Sequence, residues 1–226
     1  MKKMKKIFLI LIAVLMLLSF ASCKKSDPDP GPGPDPTPLT NAKDFEDTAG
    51  GVKMQYPGEW LSITKDNIDS QEVIDAIKKI GGDHATVKSQ LQSISAYFFA
   101  LDMSDPGFNP NLYYLSAASS AYTQTNLQTE SMIASIKGEI DTQYHQSPFS
   151  NFKWVTEPTA KKLGDNHVVY FVIDYSLNNI NVTTYQMITS NDKGKIYIFC
   201  FASGQGHLSN DRIELVEQIL STIKFI

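Results

Sequence analysis

The chain has 226 residues and a mass of 25.1 kDa, with 42% hydrophobic residues, 19% charged residues and a formal net charge of -4. That length fits one domain, or at most two small ones, and the composition excludes a collagen-like, disulfide-rich or wholly disordered chain. The mild acidity supplies no basic patch, so no nucleic-acid partner is expected.

The N-terminus is unlike the rest. Lys2, Lys3, Lys5 and Lys6 form a basic cluster, and Ile7 to Leu18 is an unbroken apolar run. As a helix that run spans about 18 Å, short of the roughly 20 residues a membrane span needs. Small residues Ala21 and Ser22 follow, then Cys23. This is the layout of a secretory signal. Phe20-Ala21-Ser22-Cys23 resembles the bacterial lipoprotein box, in which the Cys sulfur is lipidated and the chain is cut just before it. Phe20 departs from the Leu usual at that position. The alternatives are an ordinary signal peptide with an incidental Cys, or an uncleaved anchor. The expectation is a signal peptide over 1–22 and lipidation at Cys23.

The chain has two cysteines, Cys23 and Cys200. A lipidated Cys23 cannot pair, so Cys200 stands alone in the apolar run Ile196 to Ala202. A buried single Cys behaves as a small hydrophobe with a raised pKa. Without a disulfide, an exported domain must be held by its core.

Residues 23–40 read as the lipidated Cys and a tether. Every second residue from Pro28 to Pro38 is Pro, interleaved with Asp29, Gly31, Gly33, Asp35 and Thr37. Such a stretch lacks backbone donors and apolar mass. As an extended spacer at about 3.1 Å per residue it reaches roughly 50 Å, enough to hold a domain clear of a bilayer. Lys24 occupies the position where Asp retains enterobacterial lipoproteins in the inner membrane, so the outer membrane or cell surface is favoured.

Residues 41–226 read as one globular domain. Val52, Met54 and Tyr56 alternate with polar residues as in a half-exposed strand after the turn Ala49-Gly50-Gly51. Pro57-Gly58 breaks it and Trp60 to Thr64 resumes extension. Ser70 is the expected N-cap of a helix carrying Val73, Ile74, Ile77 and Ile80, ended by Gly81-Gly82. A second short helix carries Val87 and Leu91. Ala96 to Met103 and Leu112 to Ala117 read as strands around a turn-rich loop. A longer helix starts at Thr125 or Asn126, with Ile133, Ile136, Ile140 and Tyr144 on one face. Strands follow over 151–156, 167–176, 180–190 and 195–203, with hairpin turns at Asn178-Asn179 and Asn191 to Gly194. A closing helix starts after Ser209, with Ile213, Val216, Ile219, Leu220 and Ile223 inward.

Val168 to Ile173 and Ile196 to Ala202 are apolar without alternation. Both sheet faces are therefore expected to be buried, while hairpin turns make neighbours antiparallel. The expected fold is α+β, an α/β/α sandwich around a mainly antiparallel sheet flanked by helices. Val52-Lys53-Met54-Gln55-Tyr56-Pro57-Gly58-Glu59-Trp60 resembles the opening of the PsbP/Mog1-like family. The aromatic strand Lys195 to Ala202, leading to a helix that closes with Ile219 to Phe225, is similar to its end. That family takes in photosystem II extrinsic subunits, a Ran-binding protein and many bacterial lipoproteins. The resemblance implies the same sandwich and a binding or assembly role rather than catalysis. No functional residue of the family matches a position here; Tyr56, Pro57 and Trp60 read as core and turn residues.

No catalytic or metal site is expected. His84, His145, His167 and His207 are far apart in sequence, without metal-ligand spacing. Ser62-Ile63-Thr64-Lys65 and Ser221-Thr222-Ile223-Lys224 fit Ser-x-x-Lys without its partner motifs. Asp102 and Asp105 flank a loop that, with Asn109 or Asn111, either holds a cation or satisfies its own turn; the turn is the expectation. Gly204-Gln205-Gly206 lacks phosphate-cradling spacing, and Asn181-Val182-Thr183 is a sequon with little meaning in a bacterium. Tyr97-Phe98-Phe99 and Tyr113-Tyr114 can each place only part of themselves on one face.

The expected function is a lipid-anchored extracytoplasmic module that binds or assembles with another envelope protein, without cofactor. An envelope hydrolase or metal-dependent enzyme, and a small-molecule carrier, are the alternatives. Removing residues 1–22 leaves 16 basic against 24 acidic residues, or -8. The domain over 41–226 alone has 14 against 21, or -7. That acidity discourages contact with anionic lipid headgroups.

Overall fold

The computed structural model describes residues 39, 41–79, 81–92, 98–104, 110–177 and 179–226. Cys23 and the tether up to Pro38 lie outside the described residues. The chain order is β1 (Lys43–Asp47), β2 (Val52–Tyr56), β3 (Leu61–Ile63), α1 (Gln71–Lys79), α2 (His84–Gln92), β4 (Phe99–Leu101), β5 (Asn111–Ala118), a 3-10 turn (Asn126–Gln128), α3 (Glu130–Tyr144), β6 (Phe149–Leu163), β7 (Asn166–Leu177), β8 (Ile180–Ser190), β9 (Lys195–Gly204), α4 (Asn210–Ser221) and β10 (Lys224–Phe225).

The long apolar strands do lie inside a sheet covered on both faces. Seven strands run β3-β4-β5-β9-β8-β7-β6, antiparallel throughout. Side chains alternate between two cores. From β7, Val169, Phe171, Ile173, Tyr175 and Leu177 enter one core, and Val168 and Val172 enter the other. The first core is closed by Val73 and Ile77 of α1, Val87 of α2, and Ile136, Ile140 and Tyr144 of α3. Val216, Ile219 and Leu220 of α4 close the second.

One helix does not suffice for that second face. The 12 residues of α4 span about 18 Å, while seven strands spread over roughly 29 Å. A second sheet, β1-β2-β10, covers the remainder with Val52, Met54 and Tyr56. It is tied down by its own turn. Asp47 accepts from the Gly50 backbone N–H at 2.7 Å and from the Tyr114 hydroxyl. Gly50 O in turn accepts from Tyr197 at 3.0 Å and Lys195 at 2.6 Å. Tyr56, Pro57 and Trp60 are buried here, as core and turn residues.

Several boundaries differ from the sequence reading. The long helix starts at Glu130, not at Thr125 or Asn126. Thr129 keeps an extended backbone and its hydroxyl accepts from the Met132 N–H, which makes it the cap. The residues before it form a separate 3-10 turn that buries Leu127. The strand expected over 151–156 extends to 15 residues in β6, because pairing with β7 resumes after three register shifts. The last helix stops at Ser221 rather than running to Phe225. Thr222 donates its hydroxyl to Ile219 O at 2.6 Å and accepts from the Gln55 N–H at 2.8 Å, turning the chain into β10. Ile223 is buried, but from beyond the helix. The strand expected over Ala96 to Met103 is described as Phe99–Leu101, with 93–97 outside the described residues.

Candidate functional site

Among the described residues, the histidines and the Ser-x-x-Lys serines singled out in the sequence are not brought together. His84 Nε2 lies 2.8 Å from Ile68 O, His145 Nδ1 lies 2.7 Å from Asp141 O at the end of α3, and His167 and His207 are half-buried elsewhere. Among the described residues no group of three or more His, Cys, Asp and Glu could hold a metal ion. Ser62 accepts from the Tyr56 hydroxyl at 3.0 Å, and Ser221 donates to Gln218 O at 2.7 Å, so both hydroxyls are engaged in structure. Asp102 accepts from the Ser104 N–H at 2.9 Å and its hydroxyl at 2.6 Å. Asp105 and Asn109 lie outside the described residues, and Asn111 is buried on β5. Gly204-Gln205-Gly206 is a connector in which the Gln205 side chain donates to Asp174 at 3.1 Å.

Strand register assembles a polar site that motif spacing cannot reveal. Tyr113 of β5 stands opposite Cys200 of β9, and Cys200 stands opposite Gln186 of β8. These three form a row across the middle of the sheet, on the face beneath α3. Tyr144 of α3 reaches down to it and accepts from Gln186 Nε2 at 2.9 Å. Tyr175 of β7 packs against Tyr144 with ring centroids 5.0 Å apart. Gln186 Nε2 also donates to Thr184 at 3.1 Å. All five of Tyr113, Tyr144, Tyr175, Gln186 and Cys200 are at most 2% exposed. Among the described residues, the hydroxyls of Tyr113 and Tyr175 and the Gln186 carbonyl oxygen have no hydrogen-bond partner. The Tyr113 hydroxyl faces the Cys200 sulfur closely enough for each to affect the other's ionisation.

Burial sets the chemistry of this row. It pushes the Cys200 thiol up to about 12, and it lifts Tyr113, Tyr144 and Tyr175 well above the usual phenol range, with the nearby Cys200 adding to the effect at each. At neutral pH every member is uncharged. Such a row can donate and accept hydrogen bonds; its thiol is inert. The Gln at an inward position of β8 is the one signal of it in the sequence.

The other candidate is the outer edge of the large sheet. β6 pairs with β7 on one side only. Phe152 and Trp154 lie half-buried along it, and Val155 is 53% exposed. Trp154 Nε1 donates to Asp141 of α3 at 2.8 Å, and Lys137 Nζ sits 5.0 Å above the Trp154 ring. Lys137 also pairs with Glu157 at 3.3 Å. On the opposite core, Lys161 pairs with Glu217 of α4.

No family model matches the chain, and a search of curated proteins finds no match. Among solved structures the chain is similar to cyanobacterial PsbP (CyanoP) from Synechocystis sp. PCC 6803, with 12% identity, 87% of this chain and 98% of that chain covered, and a TM-score of 0.49. It is similar to LpqN of Mycobacterium tuberculosis, a protein involved in cell envelope biogenesis, with 11% identity, coverages of 81% and 90%, and a TM-score of 0.46. It is also similar to the Saccharomyces cerevisiae Ran-binding protein Mog1p, with 7% identity, coverages of 82% and 95%, and a TM-score of 0.46. The α+β architecture given above stands on this chain's own strand order and core packing.

Proposed function

We propose that the chain is a lipid-anchored extracytoplasmic lipoprotein whose domain is a non-catalytic binding or assembly module for another envelope protein. The observation that carries this reading is the order of the N-terminal sequence. A basic cluster and a short apolar run end at Cys23, and a proline-alternating spacer follows at once. That order makes a lipid anchor with a standoff of roughly 50 Å. Lys24 favours the outer membrane or surface. No described helix is long and apolar enough to cross a membrane.

The inert thiol and the uncharged buried row support binding rather than catalysis. The half-exposed aromatics and open backbone of β6 supply a surface on which a partner segment can add by strand pairing. Its bulges and its proline, Pro158, limit non-specific pairing along the same edge. A photo-crosslinking residue placed at Val155, in the tethered protein in its native envelope, tests the reading. A discrete envelope protein is expected from Val155 and not from exposed Glu72 on α1. Equal recovery from both positions, or none from either, would reject the role of the edge.

A further inference from the structure

We propose that the partner segment received by β6 is acidic, with carboxylates that meet Lys153 and Lys162 on either side of an apolar stretch against Val155. This rests on the strand-pairing reading of β6 given above and names the chemistry of its partner. The domain over 41–226 carries 14 basic and 21 acidic residues. β6 holds Lys153, Lys161 and Lys162 against Glu157, or +2, which leaves 11 against 20, or -9, for the rest. The strand with the open edge thus has the opposite sign to its domain. Part of its charge is already engaged. Glu157 pairs with Lys137 at 3.3 Å, and Lys161 pairs with Glu217. Lys153 stands opposite Asp174 in register, but Asp174 accepts from Thr183 at 2.6 Å and from Gln205 at 3.1 Å. Lys153 and Lys162 are exposed, and neither has a partner among the described residues. They are separated by at most about 30 Å of strand, and Val155 lies between them, 53% exposed. An added strand of about ten residues, acidic near both ends and apolar between, complements this edge.

Other occupants fit less well. Two β6 edges each carry +2, and their one acid, Glu157, is already held by Lys137. The outer edge of the small sheet, β1, is acidic, but its carboxylates are taken. Asp44 accepts from Gln55 at 2.9 Å, Glu46 pairs with Lys53 at 2.8 Å, and Asp47 accepts from the Gly50 N–H at 2.7 Å. An anionic lipid surface would also attract lysines. However, the described chain enters at the opposite side of the domain. Asn41 packs so closely on Gly58 that a Cβ there would lie 2.2 Å from the Asn41 carbonyl oxygen. Gly58 leads into β3, six strand spacings or about 29 Å from β6. The spacer before Leu39 therefore starts from the far side of the sheet.

The test uses the tethered protein in its native envelope, with a photo-crosslinking residue at Val155 and the adduct sequenced by tandem mass spectrometry. The crosslinked segment is expected to carry Asp or Glu on both sides of its attachment point. Lys153→Glu combined with Lys162→Glu should cut the adduct about tenfold, while Lys153→Arg combined with Lys162→Arg should retain it. No adduct from the parent would reject the edge itself and this inference with it. A discrete adduct whose segment lacks acids, or whose yield withstands the double Glu exchange, would overturn the acidic partner and leave the edge reading standing. An adduct with lipid or with a second copy of the chain would overturn the acidic partner too.

Discussion

Cys200 sits in the middle of the large sheet, and its thiol ionises at about 12 against 9.0 for an ordinary thiol. Below pH 9 the folded and unfolded chains both keep that proton, so the benefit of burying the thiol is complete. Above pH 9 the unfolded chain releases a proton that the folded chain retains. Stability then falls by about 1.4 kcal/mol per pH unit for each such group, until pH passes the folded value. Tyr122 adds to the loss between 10.0 and about 12, again chiefly through burial. The urea midpoint should therefore hold steady to about pH 9 and then decline. In Cys200→Ala the decline should begin nearer 10, where the tyrosines take over. A midpoint unchanged up to pH 11 would show that these groups are not buried.

Two glycines give a sharper comparison at this scale. Gly164 (φ +57°) turns the β6–β7 hairpin, and a Cβ there would lie 2.2 Å from the Ser221 carbonyl oxygen at the end of α4. Gly194 (φ +81°) turns the β8–β9 hairpin with nothing within 4 Å of such a Cβ. Gly194→Ala should lose only the left-handed backbone preference, about 1 kcal/mol. Gly164→Ala should lose at least about 2 kcal/mol in urea unfolding, because backbone must also move. Equal losses would remove the close approach of α4 to that turn. At this scale the sequence was partly legible. Tyr113 and Tyr114 do face opposite cores, as adjacent strand residues must. The row joining Tyr113, Cys200 and Gln186 was not legible, because it exists only through the register of three strands.

Among the elements, the helices capped by Ser70 and Ser209 are the most legible in the sequence. Ser209 accepts from the Arg212 N–H and starts α4 where expected. Ser209→Ala should cost about 1 kcal/mol, seen as a lower urea midpoint with an unchanged slope. No loss of midpoint would mean the cap is made by other groups. The start of α3 was misread because two hydrogen-bonding side chains compete there. Asn126 accepts from the Thr123 N–H at 2.7 Å and holds a separate turn, while Thr129 caps the helix proper. The two-residue β10 carries no pattern of its own; pairing with β2 defines it. The full length of β6 is not legible in the sequence because its alternation is interrupted by bulges, which only the partner strand reveals.

For the whole molecule, the apolar runs of β7 and β9 correctly required cover on both faces. They could not say that a three-stranded sheet would share the second face with α4. Between them these layers bury two cores rich in tyrosine and phenylalanine, so the domain needs no disulfide. The -7 charge over 41–226 suits the proposed arrangement, in which a proline spacer holds the domain off an anionic membrane. The proposed envelope role depends on one bond, between the Cys23 sulfur and a lipid. Metabolic labelling with a lipid analogue, followed by membrane fractionation, tests it in the parent and in Cys23→Ser. Label and membrane association are expected in the parent, with both lost in Cys23→Ser. An unlabelled parent, or a Cys23→Ser chain that keeps its label, would refute the anchor and with it the proposed envelope role.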